Sequence, residues 1–248
     1  MPLLAGDAAA AARFLGGRRD IDPRRIALLG ASQGGLVAAA AAAGPARDLP
    51  LRGVVLLMSP AVPGDQVVGD QVARQLQLAS PQSGAYEDQR AFVDRLIAAV
   101  RTTPDPAALR RRLDEEIEAA TRGGLISKDV APSLVPGFTD PNMAAVLDYD
   151  PAPILKQLRL PVLSVFGERD IMVSAPRNAP VARRALSGVR DARVIELQGL
   201  NHMLQTASTG APDEWSTLGP PFGSPVALDL VATWLRTRLA APARQRTR

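Results

Sequence analysis

Between residues 24 and 43 the chain reads RRIALLGASQGGLVAAAAAA: an apolar run of strand length, a cluster of small residues from Gly30 to Gly35, then an alanine-rich segment. Alanine is the strongest helix former and Gly44-Pro45 supplies a stop, so this stretch predicts a strand, a tight turn and a helix. The turn carries Gly30-Ala31-Ser32-Gln33-Gly34, a G-x-S-x-G pattern. The pattern alone is weak, since 20 glycines in 248 residues give about 0.08 matches by chance. Its context adds the weight. A sharp strand-to-helix turn strains the serine backbone, and small residues at 30 and 34 are expected to keep strand and helix from colliding. Such a turn lifts the Ser32 hydroxyl above a sheet and leaves the Gln33 N–H at a helix N-terminus, ready to stabilise an oxyanion.

Three further runs read as buried strands: RGVVLLMSP (52–60), LPVLSVFGERD (160–170) and ARVIELQGLNH (192–202). The first of them is β-branched and continuous rather than alternating, the pattern of a strand covered on both faces. Helices are expected from an Asp7 N-cap to Gly16-Gly17, over 178–186, and over 224–239, where Val226, Leu230, Val231, Trp234 and Leu235 form an apolar stripe. Alternation of strand and helix argues for a mainly parallel sheet between helical layers. The stretch 61–149 shows no good strand. It reads as a helical insertion with amphipathic helices at 91–100 and 107–120, the second placing Leu109, Leu113 and Ile117 on one face. The domains are thus 1–60 with 150–248 as an α/β core, and 61–149 as the insertion.

The net charge of +4 comes from 29 basic against 25 acidic residues. Most arginines sit beside acids, as Arg110-Arg111-Arg112 does beside Asp114, Glu115, Glu116 and Glu118, and aromatics are 4%. A solvated helix face is the reading, not a nucleic-acid surface. The tail ARQRTR (243–248) reads as a frayed terminus. There is no apolar run of about 18 residues and no basic-then-apolar leader, so neither a membrane span nor a secretory signal is expected. The chain as given is expected to be soluble, and cytoplasmic if it is complete. With no cysteine and one histidine, thiolate and multi-histidine metal centres are excluded.

That single histidine sharpens the chemistry. A serine hydroxyl needs a base to take its proton as it attacks, and for an imidazole base only His202 is available. It follows the fourth strand in GLNHML, at the carboxyl edge of a parallel sheet. An acid must then orient the imidazole. Asp170 ends the third strand in FGERD, with Glu168 as its rival two residues earlier. Ser59 and Ser164, not followed by a glycine turn, read as structural, and Phe138, Met143 and Tyr149 as packing residues.

The order Ser32, Asp170, His202 has separations of 138 and 32 residues. In this order, and in IDPRRIALLGASQGG (21–35), YDPAPILKQLRLPVLSVFGERD (149–170) and GLNHMLQTASTGAPDEW (199–215), the chain resembles the α/β-hydrolases, within them the bacterial esterase-like branch related to serine aminopeptidases and dienelactone hydrolases. The resemblance runs from about residue 7 onward and is weak over the insertion. It implies a three-layer α/β-hydrolase sandwich with a helical cap at 61–149, Ser32 as nucleophile, Asp170 as acid and His202 as base. It implies no cofactor and a small acyl ester as substrate, with peptidase and thioesterase activity as neighbouring chemistries.

The sequence departs from the family pattern ahead of the elbow. About two dozen residues precede the first strand, they read as helix and loop, and no HGG-like segment that would donate a second oxyanion N–H is among them. Two expectations follow. The first strand exposes an unpaired edge, suited to pairing with another chain or to homo-oligomer formation. An oxyanion hole with one donor fewer slows catalysis on the order of 10²–10³-fold. The alternative function is therefore an N-terminally shortened, weakly active hydrolase-like chain that acts as a binding or assembly partner.

Overall fold

A computed structural model describes residues 1–79, 82–219 and 223–240; the 243–248 tail lies outside them. The elements follow in the order α1 (Pro2–Gly16), β1 (Leu28–Ala31), α2 (Gln33–Ala43), β2 (Val54–Leu57), α3 (Gly64–Ala79), α4 (Tyr86–Thr102), α5 (Pro106–Arg122), α6 (Ala131–Phe138), α7 (Met143–Leu147), α8 (Ala152–Gln157), β3 (Val162–Gly167), α9 (Ala175–Ala185), β4 (Ala192–Leu197), a short 3₁₀ helix (Pro212–Thr217) and α10 (Pro225–Leu239). They divide into two compact units, Met1–Ala61 with Pro151–Arg248, and Val62–Asp150.

The first unit is an α/β layer structure. Its four strands are all parallel, in the order β1-β2-β3-β4. β2 shows why its apolar run does not alternate: all four residues are buried. Val54 and Leu56 join a cluster with α2, α8 and α9 on one face, while Val55 and Leu57 join Ala227 and Trp234 of α10 on the other. Each such side chain contributes about 1.5–3 kcal/mol on leaving water, so both helical layers are held to the sheet by its central strands. Gly53, just before β2, makes room for the Trp234 ring; a Cβ there would lie 2.5 Å from it.

Some element ends differ from the sequence reading. Asp7 is not an N-cap: α1 begins at Pro2, whose fixed φ suits the first helical turn, and Asp7 lies inside the helix. Val226 is 66% exposed because Ala227 takes the inward position of the first turn of α10. β1 spans only Leu28–Ala31. It is an edge strand of the four-stranded sheet, and Leu29 on it is exposed. α1 lies against α2 and the turn after it through small side chains, Ala5 and Ala9 clustering with Ala41 of α2 and Ala46 of the turn.

The second unit is helical over its described residues, α3 to α7. Phe92, Leu96, Leu113, Ile117 and Phe138 are buried in its own core, with Leu109 and Met143 packed against it. The charged face of α5 is paired as its spacing suggests: Arg110 with Asp114, and Arg122 with Glu118, four residues apart. Among the described residues no helix is long and apolar enough to cross a membrane.

Candidate active site

Because the strands are parallel, the residues that follow β1, β3 and β4 all emerge at one edge of the sheet. Ser32 is the first residue past β1. Its backbone has φ 53° and ψ −123°, a conformation that costs a non-glycine residue on the order of 1–3 kcal/mol. The turn is held on both sides: the Ser32 N–H donates to the Leu57 carbonyl at 2.7 Å, and the Ser32 carbonyl accepts from the Gly35 N–H at 3.0 Å. Met58, after β2, and Leu204, after β4, are the other non-glycine residues with positive φ among those described. Backbone strain is thus gathered at the carboxyl edge of the sheet.

The glycines of the turn have unequal work. A Cβ on Gly30 would stand 2.0 Å from the Gly34 carbonyl oxygen, so strand and helix cross there with no room for a side chain. A Cβ on Gly34 would meet nothing within 4 Å. The second tight position is one residue later, at Gly35, where a Cβ would lie 2.6 Å from the buried Ser59. The expectation of steric need at Gly34 is therefore corrected: its backbone, not an absent side chain, makes the close approach. Gln33 opens α2, and as a first-turn residue its N–H has no carbonyl four residues earlier in the helix to bond.

Asp170 and His202 meet directly. His202 Nδ1 is 2.8 Å from Asp170 Oδ2, and the aspartate side chain has no exposed surface. Its other oxygen, Oδ1, accepts the N–H groups of Met172 and Val173, each at 2.8 Å, which fixes the carboxylate plane. The rival Glu168 is engaged elsewhere, with Oε2 accepting the Gly199 N–H at 2.7 Å. Among the described residues no hydrogen bond joins the Ser32 hydroxyl to His202.

The loop that carries His202 is built by residues the sequence reading left without a role. Leu200 crosses the end of β3, where its carbonyl accepts from the Arg169 N–H at 2.9 Å. Gly167 permits the crossing, since a Cβ there would lie 2.3 Å from the Leu200 oxygen. Asn201 is buried, and its Oδ1 accepts from the Met203 and Gln205 N–H groups at 2.9 and 3.0 Å. Trp215 stacks on the imidazole, with ring centroids 6.1 Å apart and planes 23° from parallel. The sequence signals were modest: an asparagine beside the lone histidine, and one of two tryptophans.

Among the described residues no group of three or more His, Cys, Asp or Glu side chains could hold a metal ion. The groups at this edge are a hydroxyl at a strained turn, an imidazole paired with a buried carboxylate, and a helix N-terminus, a set able to transfer a proton and to hold a negative charge.

No family model matches the chain. It is 25% identical over 231 residues to esterase EstD of Thermotoga maritima, which covers 92% of this chain and 46% of that protein. The chain thus spans about half the length of that curated relative. Among solved structures it is similar to the esterase RhEst1 from Rhodococcus sp. ECU1013 (22% identity, TM-score 0.47, 95% of this chain and 72% of that one). It is also similar to acetyl xylan esterase 1 from Thermoanaerobacterium sp. JW/SL YS485 (19% identity, TM-score 0.45, 95% and 52%). The parallel sheet with helices on both faces and the strained serine between β1 and α2 form an α/β-hydrolase-type fold, in a chain whose sequence is similar to that of an esterase.

Proposed function

We propose that the chain is a serine hydrolase of carboxylic esters. The observation that carries this reading is the 2.8 Å pairing of His202 with the buried Asp170, at the sheet edge where Ser32 occupies a strained strand-to-helix turn. In this mechanism Ser32 Oγ attacks the ester carbonyl carbon while His202 Nε2 takes the hydroxyl proton, and Asp170 stabilises the imidazolium without being protonated itself. The tetrahedral oxyanion accepts a hydrogen bond from the Gln33 N–H. Collapse breaks the bond to the alcohol, which leaves with the proton from His202, and Ser32 carries the acyl group. Water then attacks with His202 again as base, releasing the acid and restoring the serine.

The likeness to EstD, whose printed name is esterase, supports the ester as substrate. The helical unit Val62–Asp150, which enters the chain after β2 leaves the sheet at this same edge, is proposed as a cap that selects substrates. Hydrolysis of short p-nitrophenyl esters and labelling by a fluorophosphonate probe test the reading. Both are expected for the unaltered chain and lost in Ser32→Ala and His202→Ala; unchanged activity in either variant sinks it.

One observation favours a second reading, assembly with another copy of the chain through β1. Within the described sheet β1 has a strand partner on one side only, and Leu29 on it is half exposed. Size measurement across a concentration series tests it: a dimer that Leu29→Lys dissociates supports assembly through this edge, and a monomer at all concentrations rejects it.

A further inference from the structure

A single hydrogen bond leaves an imidazole free to rock. The His202–Asp170 contact fixes Nδ1, but the ring plane can still turn about that contact, because the terminal torsion of a histidine side chain has a broad energy well. The catalytic nitrogen of the proposed mechanism, Nε2, is across the ring from that contact and turns with the ring plane.

The plane of that ring is constrained by a second group. Trp215 lies over it at 6.1 Å and 23°, within the range where aromatic rings attract each other. An indole face also attracts the ring once it is protonated. The indole is itself anchored. Its Nε1–H donates to the Gly210 carbonyl at 3.4 Å, and the neighbouring Glu214 carboxylate accepts from the backbone N–H groups of Ser208, Thr209 and Gly210 and from the Thr209 hydroxyl. Arg169, one residue before Asp170, donates to the Ser208 carbonyl at 2.6 Å. The turn bearing Trp215 is therefore tied to the same loop ends that carry the acid and the base.

We propose that Trp215 is a positioning residue for His202: its indole, clamped by the Glu214 turn, sets the plane of the imidazole so that Nε2 faces Ser32. This rests on the hydrolase reading above. The geometry also explains a feature that reading leaves unused, a large aromatic side chain held against the only histidine of the chain.

The chain's single histidine makes the test direct. With ¹³C-histidine labelling, one imidazole spin system is seen, and its ring-proton shifts report the indole ring current. Trp215→Leu is expected to move these shifts toward free-histidine values, to lower kcat for p-nitrophenyl acetate about three- to tenfold with KM changed less than twofold, and to slow fluorophosphonate labelling of Ser32 to a like degree. Trp215→Phe, which keeps an aromatic face, is expected to recover most of the rate. Identical imidazole shifts in wild type and Trp215→Leu overturn the stacking. An unchanged kcat in Trp215→Leu, or a Trp215→Phe variant as slow as Trp215→Leu, overturns the positioning role. A wild-type chain that neither turns over the ester nor labels overturns the hydrolase reading itself, an outcome that the shift measurement keeps separate from failure of the stacking.

Discussion

Asp170 faces His202 with one carboxylate oxygen and the N–H groups of Met172 and Val173 with the other. The two oxygens are thus not interchangeable. In Asp170→Asn the amide oxygen would stay with the two backbone donors and the amide NH₂ would face Nδ1. That forces Nδ1 to accept and puts the imidazole proton on Nε2, the wrong tautomer for a base. The expected result is a kcat for p-nitrophenyl acetate lower on the order of 10³–10⁴-fold, with a melting temperature close to wild type. Steady-state kinetics and a thermal melt check both parts; a variant with near-normal kcat would remove Asp170 from the mechanism.

Gly30 and Gly34 frame Ser32 symmetrically in sequence but not in space. A Cβ at 30 would press on the Gly34 carbonyl at 2.0 Å, whereas one at 34 meets open space. Gly30→Ala is expected to destabilise by about 1–3 kcal/mol or more and to abolish probe labelling, since the turn itself must shift. Gly34→Ala is expected to keep labelling and to gain about 0.5–1 kcal/mol from the helix preference of alanine. Denaturant titration of the two variants side by side decides it.

Gly53 and Trp234 form a matched pair away from the site. The Cβ of Gly53→Ala would lie 2.5 Å from the indole, at an expected cost of about 1–3 kcal/mol. Because the closest clash is with the indole, and the Pro161 carbonyl is second at 3.2 Å, adding Trp234→Phe should recover part of the loss but not all of it. The double-mutant cycle is expected to show coupling of at least about 0.5 kcal/mol, and strict additivity would mean the ring moves aside freely.

Glu214 makes the Trp215 turn sensitive to pH. The backbone N–H of Ser208 is the largest of several hydrogen bonds that lower its carboxyl from 4.5 to about 2. A group whose folded pKa is depressed adds stability above its unfolded value and loses it as pH falls toward the folded one. The Glu214 contribution is therefore full above about pH 4.5 and fades between there and pH 2. Glu214→Gln is expected to melt below wild type at pH 6, with the gap closing by pH 2. A gap of constant size across that range would show that the charge plays no part.

Much of this arrangement was legible in the residues. Alanine-rich sequence after a glycine turn announced α2, and unbroken apolar runs announced β2 and β3, because two-faced burial leaves no polar alternation to find. Helix starts were harder. Asp7 looked like a cap, yet Pro2 begins α1, since local preference permits several starts and packing of Ala5 and Ala9 on α2 selects one. Ser32, Asp170 and His202 could be named as candidates from type and order, and the folded loops turn Asp170 rather than Glu168 toward the imidazole.

The sequence alone determined the chemical inventory and the order of elements, because backbone preference, apolar period and the presence of one histidine are local or countable properties. Only the tertiary structure decided that Gly35 rather than Gly34 needs to be small, that Gly167 lets the histidine loop cross β3, and that Trp215 lies on His202. Those are distances between residues remote in the chain, set by how parallel strands and their loops stack at one edge, and no local pattern carries them.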